Sequence, residues 1–173
     1  IKIINHHTIK NFCKSSNDEK IKNEKKSCLV EEIRTKGAVE RNLRSADLSE
    51  ANLSNTKLSE ANLSGANLRS ADLRDANLNN ANLNNANLNN ANLSNASLRS
   101  ANLRSSNLSG ANLRSADLRD ADLRSANLNA ADLSCADLKD ANVENAHFIN
   151  SQGISESLKQ DLKARGAIFE DSP

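Results

Sequence analysis

Six side chains in this 173-residue chain suit nucleophilic or metal chemistry: His6, His7, His147, Cys13, Cys28 and Cys135. A thiolate beside an imidazole would serve acyl transfer, and a cluster of such ligands would hold zinc. Their placement supports neither. His6, His7 and Cys13 stand near the start, far in sequence from His147, and no two cysteines have CxxC spacing. An odd cysteine count gives no disulfide framework, so the three are read as free thiols. No HExxH, GxSxG or phosphate-loop pattern occurs. The reading is therefore non-catalytic: no catalytic residue, no cofactor and no metal.

The elements that would have to position any site are unusual. Aromatics make up 2% of the chain, with no Trp, Tyr or Met, so the core has to be aliphatic. From Arg41 to Asn150 the sequence is an unbroken run of 22 five-residue units such as ADLSE, ANLSG and ANLNN. With the central apolar residue called i, the centres include Leu43, Leu63, Leu83, Leu103 and Leu123, and end in Val143 and Phe148. Position i−2 is Ala in 19 of the 22 units, the exceptions being Arg41, Thr56 and Ser106.

A period of five scatters the centres around an α-helix, since each step rotates by about 140°. In an extended segment, residues two apart share a face, which points Ala and Leu inward and positions i−1 and i+1 outward. Position i+2 is Ser, Asn, Asp, Glu or Gly except at Ala130 and Cys135, and most of these suit a turn. Each unit is thus a short side and a corner. For the inward hydroxyls of Thr56 and Ser106, the expected role is a hydrogen bond to nearby backbone.

Tandem A(D/N)LXX units resemble the pentapeptide-repeat family, over residues 41–150. The resemblance implies an all-β solenoid: a right-handed quadrilateral parallel β-helix with four five-residue repeats per coil. On that geometry the units make about 5.5 coils and a shaft roughly 26 Å long. A stacked shaft needs its apolar ends covered. Residues 154–165 read as a short helix with Ser155 as N-cap and Gly166 as terminator. Leu158, Leu162, Ile168 and Phe169 would cover the last coil. The closing segment GISESLKQDLKARGAIFEDSP is similar to that of cyanobacterial and chloroplast thylakoid-lumen members. Ser27–Lys36 suits an N-terminal helix with Leu29, Val30 and Ile33 toward the first coil. The expected organisation is a charged flexible arm over 1–26, an N-terminal helical cap over 27–40, the repeats over 41–150, and a C-terminal cap and tail over 151–173.

Four repeats per coil would place residues 20 apart in one column. Arg99, Arg119 and Lys139 then form a basic ladder, flanked by Asp117 and Asp137 on one side and Asp120 and Asp140 on the other. Between Asp75 and Arg99 no residue is ionisable, giving an uncharged belt that includes Asn79, Asn84 and Asn89. Acidic neighbours offset the repulsion along the ladder, which reads first as a self-neutralising salt-bridge network and second as a docking face; the belt reads first as recent unit duplication and second as a face for a partner that avoids charge, and on the second readings the two are the candidate interaction surface.

The formal net charge of +1 gives no global field of either sign. Acidic family members mimic DNA to bind gyrase, but the repeats here carry 12 acidic and 11 basic side chains, which disfavours that role. With no basic face or aromatic platform, nucleic-acid binding is also disfavoured. A protein partner, unidentified, is the expectation, with the chain a monomer or an end-to-end dimer. No apolar run approaches the ~20 residues that span a bilayer, so no membrane insertion is expected. The sequence begins without Met, so a removed targeting segment stays possible and the compartment open: cytoplasm, thylakoid lumen or periplasm.

Overall fold

In a computed structural model, residues 19–169 are described. His6, His7, Cys13 and the first 18 residues of the expected arm lie outside them. The described chain runs from helix α1 (Glu19–Lys36) through a stack of five-residue units to helix α2 (Glu156–Ala164) and a short closing segment.

The hydrogen bonds of one unit explain the stack. In Ala81–Asn85, Asn82 pairs in parallel with Asn62 below and Asn102 above. The Asn82 N–H donates down to Ala61 O (2.9 Å), whereas the Leu83 and Asn85 N–H groups donate up to Asn102 O (2.7 Å) and Arg104 O (2.9 Å). Ala86 N–H closes the corner on Leu83 O (2.9 Å). The pairing offset of 20 residues recurs from Asn42 to Gln152, so four units complete one coil. Each side contributes one paired residue per rung, a β-helix type of architecture without long strands.

Four of the five N–H groups in a unit are met by backbone, and the fifth, at i+1, is not. The side chain at i−1 supplies the missing acceptor: Asn84 N–H donates to Asn82 Oδ1 (3.1 Å), and Arg104 N–H to Asn102 Oδ1 (3.2 Å). An amide or carboxylate two residues upstream is the natural partner for a turn N–H. This is why i−1 is Asn or Asp in all units but those of Lys57, Ser97 and His147. At the corner, every i+2 residue from Ser45 to Asn150 has φ between 53° and 67°. Ala130 and Cys135 adopt this left-handed conformation too, at φ 57° and 60°, without the local side-chain compensation that Asn offers.

Inside, Leu43, Leu63, Leu83, Leu103, Leu123, Val143 and Phe148 are buried, and the intervening alanines leave room for them. Thr56 Oγ1 donates to Leu53 O and Ser106 Oγ to Leu103 O (2.7 Å), the carbonyls that close their own corners. Both inward hydroxyls are therefore satisfied.

The ends differ from the expectation in two respects. Helix α1 begins at Glu19 rather than Ser27, because the preceding Lys- and Glu-rich stretch contains good helix formers and neither Gly nor Pro. Coiling also begins earlier: Ala38 and Glu40 N–H groups already pair with Lys57 O (2.7 Å) and Ser59 O (3.1 Å). The pattern hides this unit because its centre is Ala38 instead of Leu. Ile33 of α1, fully buried, joins the same core, with Leu29 and Val30 packed against it. Lys26 Nζ to Ser49 Oγ (2.9 Å) and an Arg41–Glu32 ion pair (3.0 Å) hold α1 on the first coil.

At the other end Ser155 caps α2, its hydroxyl accepting from Leu158 N–H (3.2 Å), and Leu162 is fully buried. Gly153, at φ 78°, permits the exit from the last coil: a Cβ there would lie 2.3 Å from Ser134 N. Ile168 then pairs with His147, and Phe169 stacks on Phe148 with centroids 5.4 Å apart. Where no further rung follows, Arg165 takes its place, donating through Nη1 to Ala141 O (2.9 Å) and Leu138 O (3.3 Å).

Leu83→Ala should lower unfolding free energy by about 2–5 kcal/mol in urea denaturation, the cost of a cavity that a narrow stack cannot close. Asn102→Ala should cost about 1 kcal/mol and Asn102→Asp much less, since Asp keeps the acceptor for Arg104 N–H.

Candidate interaction surface

The 20-residue register, seen in the Ser97, Asp117 and Asp137 pairings, places Arg99, Arg119 and Lys139 in one column. The ladder is largely neutralised. Arg119 grips Asp117 with two hydrogen bonds (2.8 and 2.6 Å) and lies 3.6 Å from Asp137, while Arg99 pairs with Asp120 (3.2 Å). Lys139 is exposed and makes no ion pair among the described residues. Arg99, Arg119 and Lys139 thus do not form a bare cationic stripe; only the last leaves an amine free.

The two-pronged grip is general. Asp72–Arg74 and Asp122–Arg124 repeat it at 2.8 and 2.6 Å. All three belong to A-D-L-R units, in which i−1 and i+1 project to the same side two residues apart. The ladder is thus paired with its flanking aspartates as a salt-bridge network predicts, and the A-D-L-R motif adds the grip within a single unit. Hydrogen bonds from the arginine side chains hold Asp72, Asp117 and Asp122 below the usual carboxylate range, and the Ser134 hydroxyl does the same for Asp132.

The belt amides are divided. Asn79 Oδ1 accepts Arg99 N–H (3.0 Å) from the coil above, where Ser97 stands in place of the usual Asn or Asp. Asn129 does the same for Ile149 N–H (2.9 Å), above which His147 breaks the pattern. Asn89 Nδ2 donates to Ser109 O (2.9 Å) and Ser109 Oγ (2.8 Å). These amides splice coils together. Asn84, half-buried, is held through its backbone: its N–H donates to Asn82 Oδ1 (3.1 Å) and its carbonyl accepts Gly65 N–H (2.9 Å).

Among the described residues no group of three or more His, Cys, Asp or Glu could hold a metal ion, and Cys28 and Cys135 are exposed and free. His147 lies half-buried between Asn127 and Ile168 in its column. No helix among the described residues is long and apolar enough to cross a membrane. What the surface offers is rigid spacing of amides and paired charges.

Two family models match: "Pentapeptide repeats (8 copies)" over residues 42–75 and "Pentapeptide repeat region" over residues 71–148. No curated protein matches in sequence. Among solved structures, the chain is similar to HetL, a pentapeptide repeat protein involved in heterocyst differentiation regulation from the cyanobacterium Nostoc sp. strain PCC 7120, at 42% identity over 65% of this chain, with TM-score 0.44. The match spans 57% of HetL's length. A pentapeptide repeat protein of the Arabidopsis thaliana thylakoid lumen is 27% identical over 72% of this chain and 80% of its own, with TM-score 0.41. Rfr23 from the cyanobacterium Cyanothece 51142 is 26% identical over 72% of this chain and 97% of its own, with TM-score 0.40.

The depressed carboxylates set a pH dependence. Their contribution to stability is complete above the unfolded-state pKa of about 3.9 and is lost as pH falls through the lower folded-state value. Asp117→Asn keeps an acceptor for Arg119 N–H but removes the charge pair. Wild type should exceed this variant by about 0.5 kcal/mol at pH 7, the order expected for a partly exposed pair. Urea titrations should show the gap closing below about pH 4.

Proposed function

The chain belongs to the pentapeptide repeat family, and from that membership we propose a non-catalytic protein-binding or scaffolding module, a right-handed quadrilateral β-helix closed by a helix at each end. The observation that carries this reading is the surface itself: outward groups fixed at rung spacing, with most ladder and A-D-L-R charges already paired. Such a surface discriminates by spacing and shape rather than by net field. Catalysis needs unlike titratable groups converging in a partly desolvated pocket. His147 and Cys135 stand apart on the outside of the shaft instead.

The docking face we favour is the ladder of Arg99, Arg119 and Lys139. Lys139 supplies an unpaired amine, and Asp117 and Asp137 hold Arg119 in a fixed orientation. An arginine already positioned by a carboxylate loses less side-chain freedom on binding than a free one. The same pairing weakens the DNA-mimic alternative, because aspartates neutralised by arginine present no phosphate-like row.

Affinity capture from the source cell by the wild-type chain and by an Arg99→Glu/Lys139→Glu variant tests the proposal. The expected result is one protein retained by the wild type and lost by the variant, with both chains equally folded. Turnover abolished by His147→Ala or Cys135→Ala would replace the binding reading with an enzymatic one.

A further inference from the structure

The two ends of the shaft are closed by different means. At the C-terminal end the closing segment pairs with backbone: Asn145 N–H donates to Gly166 O, Phe148 N–H to Ile168 O and Ile168 N–H to Ala146 O, each at 2.8 Å. At the N-terminal end no backbone hydrogen bond joins α1 to the shaft among the described residues. The Asn62, Asn67 and Asp72 N–H groups of the second coil donate to Arg41 O, Ala46 O and Ala51 O, each at 2.9 Å. Their counterparts one coil below, Asn42, Asp47 and Asn52, have no acceptor among the described residues. The edge of the first coil is thus a row of open N–H groups, and α1 meets this end through side chains alone.

Those contacts are few. Among the described side chains of α1 only Ile33 is buried, with Leu29 and Val30 partly covered, and Ala46 of the first coil stays half-buried where most alanines of later coils are enclosed. Two ion pairs complete the attachment, Lys26–Asp47 (3.9 Å) and Arg41–Glu32 (3.0 Å), their side chains between 24% and 65% exposed. The seat of the first pair is fixed without α1, because Asp47 Oδ1 already accepts Ser49 N–H (3.1 Å), the Ser49 hydroxyl (2.8 Å) and Asn67 Nδ2 (3.1 Å). Between helix and shaft stands Gly37, at φ 71°. Its N–H closes α1 on Ile33 O (2.8 Å), while the next N–H, of Ala38, belongs to the shaft through Lys57 O (2.7 Å). An element with few buried apolar contacts opens at a lower free energy than the stack it covers. Partly exposed ion pairs also weaken as salt screens them.

We propose that α1 is a lid, hinged at Gly37 and latched by Lys26–Asp47 and Arg41–Glu32, that opens while the shaft stays folded and does so more readily as ionic strength rises. Opening lifts Ile33 out of the core and turns a covered end into a free sheet edge at Asn42, Asp47 and Asn52, the kind of row to which a further strand pairs. The lid stands apart from the docking ladder of Arg99, Arg119 and Lys139, so neither reading rests on the other.

Amide hydrogen exchange of the full chain, followed by NMR in about 0.05 M and about 1 M sodium chloride, tests it. The Leu29, Val30 and Ile33 N–H groups should lose protection together and exchange at least about a hundredfold faster than those of Leu83, Leu103 and Phe148. The higher salt should speed the α1 group about fivefold, the effect of losing two partly exposed pairs, and leave the shaft group unchanged. Lys26→Gln/Glu32→Gln should produce that gain at low salt and remove most of the salt response. Ile33→Ala should speed exchange in α1 at least about tenfold with Leu83 and Leu103 unmoved. Protection of α1 equal to that of Leu83, a loss shared by α1 and shaft in Ile33→Ala, or wild-type α1 exchange indifferent to salt would overturn the proposal.

Discussion

The architecture turns on one backbone N–H per five residues. A chain that bends every five residues can satisfy four N–H groups of each unit from its own backbone, but the one at i+1 faces outward with no carbonyl in reach. An Asn or Asp at i−1 answers it in nearly every unit. Unpaired amides are costly when withheld from water. The outer residue of the repeat is thereby constrained in type, as the inner Leu is. Where Ser97 and His147 break the rule, Asn79 and Asn129 of the coil below take over.

This constraint shapes the surface chemistry. An acidic residue at i−1 accepts the turn N–H with one oxygen and an i+1 arginine with both, so A-D-L-R units fold into closed two-pronged pairs. Half of the 12 acidic residues of the repeats accept the turn N–H in this way: Asp47, Asp72, Asp117, Asp122, Asp132 and Asp137. The pairing leaves open only a residue without such a partner, as at Lys139.

Periodicity made the inward Leu and Ala legible in the sequence, because burial at two-residue spacing repeats without interruption. Ser155 and Gly166 likewise announced α2 through ordinary capping chemistry. Less could be read where the pattern lapses: the unit around Ala38 has the backbone of a repeat with no Leu to betray it, and α1 gains its first turns from Lys and Glu that read equally well as a solvated arm. The ladder's columns follow from the coil register and A-D-L-R spacing signals the Asp117–Arg119 grip, whereas the Arg99–Asp120 pair crosses between units and depends on rotamers that spacing does not reveal. Arg165 was invisible for another reason, since its partners are carbonyls that only the end of the stack leaves open.

The fixed register of four units per coil ties length to orientation. Removing or adding a single unit in the middle of the shaft would preserve every turn and every inward Leu, yet swing everything beyond it through a quarter turn. Only steps of 20 residues lengthen the molecule while keeping each column aligned. Its faces are therefore inherited as phases, and two shafts of different length can share a surface only when they differ by whole coils.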